Sequence, residues 1–338
     1  MINNRRAAKL KEKKEYEDSK TKSFTNQYAA IEDILNKYKP YKKSNLVKIP
    51  PEINESLFKL YGTHYDRVLK SVYDIWIRKQ LKRLRKLSYM ERLKEEYAND
   101  IPISLTQQDK IEIKYILNIL YKNKINWICF FASFMYIYNK TDPKKNILCL
   151  EGPTNTGKTM IINLLLDNLQ ATSIAKNSDS DRFQFSNCTS APAVLFEEPT
   201  ITMTNVNTYK KFWGGQETET DVKNSCHELV ERLPWFITCN EDIGMNIVGY
   251  ERQAIEMRLI KFELFEPISD GIINTSGIPR LETTIKGATL QRWLLTQEET
   301  LTQALTAFQH GKFNTSYNPG SWYRDWTRNE KESGGGPR

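Results

Sequence analysis

Histidine is scarce in this chain: three residues in 338, His64, His227 and His310, and no two of them are near neighbours. A histidine-built metal centre is therefore not expected. Cysteine is also sparse. Cys129, Cys149, Cys188, Cys226 and Cys239 are odd in number, widely spaced and free of any CxxC, which argues against both a zinc site and a disulfide framework. No uncharged apolar run approaches 18 residues, and the best candidate, Ile125 to Tyr138, reads as a buried helix. The start of the chain is charged, with no apolar segment suited to a signal peptide. These absences predict an intracellular protein with no membrane partner.

Charge, by contrast, is abundant and unevenly placed. The formal net charge is +8; residues 1–100 carry 24 Lys/Arg against 14 Asp/Glu, and the remainder carries 25 against 27. A basic segment joined to a near-neutral remainder points to a polyanionic partner. Residues 1–25 are polar and nearly devoid of large aliphatic side chains, which predicts disorder. Residues 26–143 read as helical, with a short helix near Tyr28–Leu35, a long helical region from about Glu55 to Ala98, and helices at Gln107–Tyr121 and Lys124–Tyr138. In the long region Ile77, Leu81 and Leu84 fall on one face, while Arg78, Lys79, Lys82, Arg83 and Lys86 cover the other.

The texture changes at Lys144. Short apolar runs at Asn146–Leu150, Ala193–Phe196, Trp235–Cys239 and Leu259–Phe265 alternate with helical or loop segments, the pattern of an α/β fold with a central, mostly parallel sheet. From about Pro267 to Arg338 the chain is richer in Gly, Thr, Asn and Gln, with one predicted helix at Leu290–His310 and a flexible SGGGPR end.

The first apolar run leads into Gly152, Pro153, Thr154, Asn155, Thr156, Gly157, Lys158 and Thr159, a complete G-x-x-x-x-G-K-[ST], and an apolar helix (Met160–Leu169) follows. Backbone N–H groups and a helix N-terminus in this arrangement cradle phosphates, so ATP is the expected ligand. Lys158 is placed for the β- and γ-phosphates and Thr159 for Mg²⁺. Two acids, Glu197 and Glu198, end the next apolar run. Such a pair can assist the metal and orient the lytic water; the sequence does not divide the two roles, and the preferred division gives Glu198 the water and Glu197 the Mg²⁺. Asn240 ends the third run and can hold the water or the γ-phosphate, although a bare strand-terminal Asn is usually a turn residue. Asn139-Lys140-Thr141-Asp142 imitates a guanine-reading NKxD but precedes the phosphate loop, so it reads as a polar loop.

In order, PKKNILCLEGPTNTGKT, VLFEEP, YKKFWGGQETETDVKN, WFITCNEDI and EMRLIKFEL resemble the motifs of superfamily 3 helicases, and above all the large nonstructural replication protein of parvoviruses and densoviruses. The resemblance covers Lys144 to Glu266. It implies an AAA+-like P-loop NTPase preceded by a small α-helical bundle for oligomerisation or DNA binding, and a hexameric ring with ATP between subunits. It assigns Asn240 as sensor, Lys210, Lys211 and above all Lys223 as lysines touching single-stranded DNA in the pore, and Arg258 as the arginine supplied in trans, with Arg252 as its rival. It also implies 3′-to-5′ movement and work in a host nucleus. Relatives carry a nicking nuclease with a His-hydrophobe-His site. This chain has no such pair, so the nuclease is expected on another chain or fragment, or the lineage has only the helicase, as in bidnaviruses.

The leading expectation is an ATP-dependent DNA helicase or translocase of viral genome replication, with a nicking nuclease or viral polymerase as companions. Two other classes stay open: an ATP-gated packaging or replication scaffold that does not separate strands, and a P-loop kinase. An RNA helicase of the same superfamily is a further alternative.

Overall fold

The computed structural model describes residues 28–41, 43–175, 183–222, 227–269, 278–279, 281 and 284–309. The basic tail 1–25, Lys223 and the SGGGPR end lie outside them. The chain forms two compact units that divide between Arg83 and Leu84, well before the change of texture at Lys144.

The first unit is helical: α1 (28–38), α2 (Pro51–Tyr61) and α3 (Tyr65–Leu84). Ile31, Leu35, Ile49, Leu57, Val72 and Trp76 form its core. The buried Trp76 indole donates to Asn36 Oδ1 at 2.8 Å, so its one polar atom is satisfied. Pro51 opens α2 with no N–H to waste, and Gly62, at φ +59°, closes it in a backbone conformation that costs glycine least. The single helical region expected over 55–98 is thus three helices. Its second break falls at Ser88, which opens α4 (Tyr89–Glu96) through a reciprocal capping box with Glu91.

The second unit adds α5 (Gln107–Lys122) and α6 (Trp127–Tyr138) before the sheet. Asn126 caps α6, accepting from the N–H groups of Ile128 and Cys129, so the helix starts later than its apolar pattern suggests. Five parallel strands follow: β1 (Ile147–Glu151), β2 (Thr172–Ile174), β3 (Val194–Glu197), β6 (Trp235–Cys239) and β7 (Leu259–Glu263), in the spatial order β2-β3-β6-β1-β7. Alternate residues feed two cores. Leu148, Leu150, Leu195, Phe236 and Ile260 pack toward α4, α5, α6 and α7 (Lys158–Leu166). Ile147, Cys149, Val194, Phe196, Trp235, Ile237 and Leu259 pack toward α8 (Val206–Trp213) and α9 (Gly249–Glu256). A parallel sheet covered on both faces is the expected α/β architecture, and its strands are nearly wholly apolar for that reason. An antiparallel pair, β4 (Thr218–Thr220) and β5 (Glu228–Val230), is inserted between α8 and β6.

The helix expected at Leu290–His310 is two, α10 (Gly287–Thr296) and α11 (Glu298–Gln309). They belong to the main core. The fully buried Gln291 donates to the carbonyls of Leu164, Leu165 and Asp167 at 3.1, 3.1 and 2.9 Å, satisfying the orphan end of α7. A polar texture marked this segment as an extension, but Leu290, Leu294 and Leu301 are buried in the core, and Trp293, Leu295, Leu305 and Phe308 pack against it.

Candidate nucleotide site

The site lies at the carboxyl edge of the sheet, where β1 runs into the loop 152–157 and α7. Gly152 sits at φ +136°, and a Cβ there would stand 1.9 Å from the Leu264 carbonyl oxygen, so no larger residue fits. Asn155 and Gly157 also have positive φ, +60° and +89°. Asn155 spends its side chain and its carbonyl on Ile268, the amide donating at 2.5 Å and the carbonyl accepting at 2.8 Å, so it anchors the loop and leaves the cradle to backbone groups. Gly157 heads α7, with the apolar ends of Ile268, Met160 and Ile119 around it. The loop therefore has the backbone shape and the helix N-terminus that an anion cradle requires.

Lys158 is buried, and its ammonium donates to the carbonyls of Gly152 and Pro153 at 2.6 Å each, and to Thr156 Oγ1 and Asn240 Oδ1 at 3.3 Å each. Burial lowers its pKa from the usual lysine value, opposed by the negative potential of Glu198. Thr159 Oγ1 donates to Thr238 Oγ1 at 3.3 Å. Thr238, fully buried on β6, is the register partner of Glu197 on β3. Thr159, Thr238 and Glu197 are thus gathered on the α7 side of the sheet. Glu197 Oε1 also accepts from Ser173 Oγ at 3.4 Å.

Glu198 leaves β3 with φ +51°, a conformation that costs a non-glycine residue about 1–3 kcal/mol. Two bonds hold it there. Its N–H donates to the Thr238 carbonyl at 2.9 Å, and its carboxylate accepts from the Asn240 N–H at 3.1 Å. Asn240, Glu198 and Lys158 are therefore one connected group, as the sequence predicted for a site built from the ends of three strands.

Sequence reasoning missed three members of this edge: Thr238, Glu151 and Lys261. Glu151 is buried at the end of β1 on the face opposite Lys158. It accepts from Lys261 Nζ at 2.9 Å and from the Ile243 N–H at 3.1 Å, linking β1, β7 and the loop after β6. Burial opposes the charge on Lys261, but the bond and the attraction to Glu151 win and raise its pKa. An acid directly before the first glycine of the loop was the available signal.

Other candidates lie elsewhere. Arg258 precedes β7, and its carbonyl accepts from Asn146 and Ile147 at the amino edge of the sheet. Six residues of strand separate that level from Gly152, roughly 20 Å at ~3.3 Å per residue. Arg258 is thus out of reach of the phosphate loop of its own chain. Its guanidinium rests against Gly214 and donates to the Ala254 carbonyl, while Nε is buried without a partner among the described residues. Arg252 is tied to Asp242 and Glu256 at 2.7 and 2.8 Å. On α8, Lys210 is paired with Glu251 at 2.6 Å, whereas Lys211 is exposed. Lys223 falls between β4 and β5, outside the described residues. The NKxD look-alike is a packed corner: Asn139 accepts from Tyr89 N–H, Lys140 donates to the Arg85 carbonyl, and Asp142 accepts from Lys144 and Lys145.

A parallel sheet with a phosphate loop after β1, two acids at the end of β3 and a carboxamide after β6, the strand between them, defines a P-loop NTPase of AAA+-like build. Within that class the family model described as Parvovirus non-structural protein NS1 matches residues 71–294, and the chain belongs to that family. The resemblance read from the motifs is borne out. The chain is 32% identical over 265 residues to the Initiator protein NS1 of Aedes albopictus densovirus (isolate Boublik/1994), covering 75% of this chain and 32% of that protein. It is 28% identical over 149 residues to the Initiator protein NS1 of Porcine parvovirus (strain Kresse), covering 44% and 21%. It spans about a third or less of the length of these relatives. The X-ray structure of JCV Helicase is similar at a TM-score of 0.46 and 15% identity, over 73% of this chain and 75% of that one. Among the described residues, no helix is long and apolar enough to cross a membrane.

Proposed function

We propose that this chain is the ATP-hydrolysing motor of a viral replication initiator, moving on single-stranded DNA as a ring, most simply a hexamer, in the nucleus of the host. Strand separation at the genome, alongside a nicking nuclease and a polymerase, is the role this reading gives it. The observation that carries it is the division of the polar groups between the two edges of the sheet. Lys158, Glu198 and Asn240 form one connected group at the carboxyl edge, while Arg258 stands roughly 20 Å away at the other.

The nucleotide phosphates fit the cradle of Gly152–Thr159, where Lys158 would exchange its carbonyl partners for phosphate oxygens. Thr159 and Glu197 have the oxygen chemistry that suits Mg²⁺, which supplies charge neutralisation on the phosphates when bound. Glu198, held by Asn240, orients the attacking water. Arg258 serves a neighbour's γ-phosphate and makes turnover depend on assembly. Lys211 and Lys223 contact the DNA backbone, and Lys210 joins them if it leaves Glu251.

ATP hydrolysis with and without single-stranded DNA, in wild type, Lys158→Ala, Arg258→Ala and a mixture of the two variants, tests the reading. Each variant alone should be inactive, and mixing should restore part of the turnover, because an intact Lys158 can meet a neighbour's intact Arg258. Turnover indifferent to DNA, with Arg258→Ala harmless, would favour the kinase class. DNA-stimulated turnover without strand separation would favour the scaffold.

A further inference from the structure

We infer that the first compact unit is a double-stranded DNA-binding module, with α3 as the element that meets the duplex. The inference stands apart from the motor reading, since it concerns a different unit and needs no nucleotide. Helices α2 and α3 are joined by the three residues Gly62–His64, a helix-turn-helix connection with glycine at its first position. Helix α1, helix α2 and this turn precede residue 71, the first that the family model matches.

The charge of the molecule is concentrated here. Residues 1–83 carry 20 Lys/Arg and 10 Asp/Glu, whereas residues 84–338 carry 29 and 31. Within α3 the last ten residues, IWIRKQLKRL, hold four cations and no acid. Two of the four are engaged: Lys79 with Glu32 and Tyr28, and Arg83 with Gln80. Arg78 and Lys82 are exposed and carry no side-chain bond among the described residues, and so does Arg67 three turns earlier. By helical periodicity Arg67, Ser71, Ile75, Arg78 and Lys82 lie along one side of α3, with Asp74 as the single acid at its margin. A helix of 20 residues is about 30 Å long and 10–12 Å across, which suits a major groove ~12 Å wide with cations toward the phosphates.

The same face distinguishes duplex from single strand. Single-strand binders offer aromatic rings on which bases stack. The aromatic residues of α3, namely Tyr65, Tyr73 and Trp76, are all buried in the core of the unit and unavailable for stacking. What α3 presents outward is charge and one half-exposed aliphatic side chain, Ile75, which is chemistry for phosphates and a groove wall.

The test uses the full chain without nucleotide, titrated by fluorescence anisotropy against a labelled duplex of about two helical turns and against one of its strands, at several salt concentrations. In the double variant R78E/K82E, duplex affinity should fall at least about tenfold, and the slope of log affinity against log salt should shrink by about two. Single-strand binding and basal ATP turnover should be unchanged, because both side chains are exposed on the first unit and belong to neither its core nor the group of residues that forms the nucleotide site. A Lys211→Glu control should show the converse pattern on the two DNAs. Duplex binding equal in wild type and R78E/K82E, equal losses on duplex and single strand, or no duplex binding by wild type would each overturn the inference. An inactive ATPase that still lost duplex affinity in R78E/K82E would sink the motor and leave this module standing.

Discussion

The two edges of the parallel sheet are built from similar residues and use them in opposite ways. At the amino edge, polar side chains are spent on the backbone. Asn146, fully buried, donates to the Leu233 carbonyl at 2.6 Å and accepts from Arg232 Nε at 3.2 Å. Arg85 donates to the carbonyls of Cys188, Thr189 and Ala191 and pairs with Glu231. At the carboxyl edge, Lys158, Glu198 and Asn240 hold one another and the carbonyls of the phosphate loop. Partners fixed in strands and turns make the first edge a brace. Partners that a stronger anion can displace make the second edge a site. Placement of a charged residue relative to strand direction thus separates scaffold from chemistry where residue type alone does not.

That contrast can be broken by substitution at either edge. The largest effect on activity is expected from Lys158→Ala, which should lower turnover by about 10²–10³-fold or more, from loss of charge stabilisation on the transferred phosphoryl group. Its thermal midpoint should stay near that of wild type, because removing a buried ammonium recovers the desolvation cost that lowers its pKa and offsets the loss of its bonds to the loop. Asn146→Leu should do the reverse. It strands a buried carbonyl and Arg232, costing about 2–4 kcal/mol by chemical denaturation, with turnover per folded molecule preserved. If Asn146→Leu instead abolished turnover in folded protein, the division between the edges would be wrong.

A finer cut lies within the carboxyl edge. Thr238→Val removes the hydroxyl facing Thr159 while keeping the shape of the side chain, and should reduce turnover by about tenfold, near the worth of one hydrogen bond. A rise in the Mg²⁺ concentration needed for half-maximal rate should accompany it; a change in ATP affinity alone would remove Thr238 from the metal side of the site. The smallest effect concerns a carboxylate at neither edge. Asp109 caps α5 through Thr106 and accepts from Thr289 at 2.9 Å. Burial raises its pKa, but these hydrogen bonds outweigh burial and hold it below the usual aspartate value. Because the folded-state pKa is the lower one, its stabilisation is complete above the unfolded-state pKa of about 4 and is lost as pH falls through the folded value. Asp109→Asn should therefore cost ~1 kcal/mol at neutral pH and nothing in strong acid, read by urea unfolding at the two pH values.

Much of this was legible in the sequence, for a physical reason. β1, β3 and β6 are buried on both faces, so their apolar runs have no alternative reading, and their observed bounds differ from those expected by one residue at most. β2, β4 and β5 each have three residues with at most two apolar side chains, none at all in β4, and they left no periodic signal. The helices were found but their breaks were not, since Gly62 and Ser88 act through backbone conformation and capping that an apolar pattern passes over. Lys158, Glu198 and Asn240 were legible because each follows a readable strand. Glu151 and Lys261 become a pair only once β7 is known to lie beside β1, a fact of topology that neither residue carries.

The strand β7 has Arg258 directly before it and Leu264 directly after it, and the Leu264 carbonyl is the atom that forbids a side chain at Gly152. A strand hydrogen-bonded into a sheet resists stretching, so it acts as a push-rod between the two edges. Whatever grips the arginine from outside pulls on the same rod that presses against the first glycine of the phosphate loop. In the proposed ring, where Arg258 serves a neighbour's site, a load felt at one nucleotide site would be delivered to the next with no hinge in between.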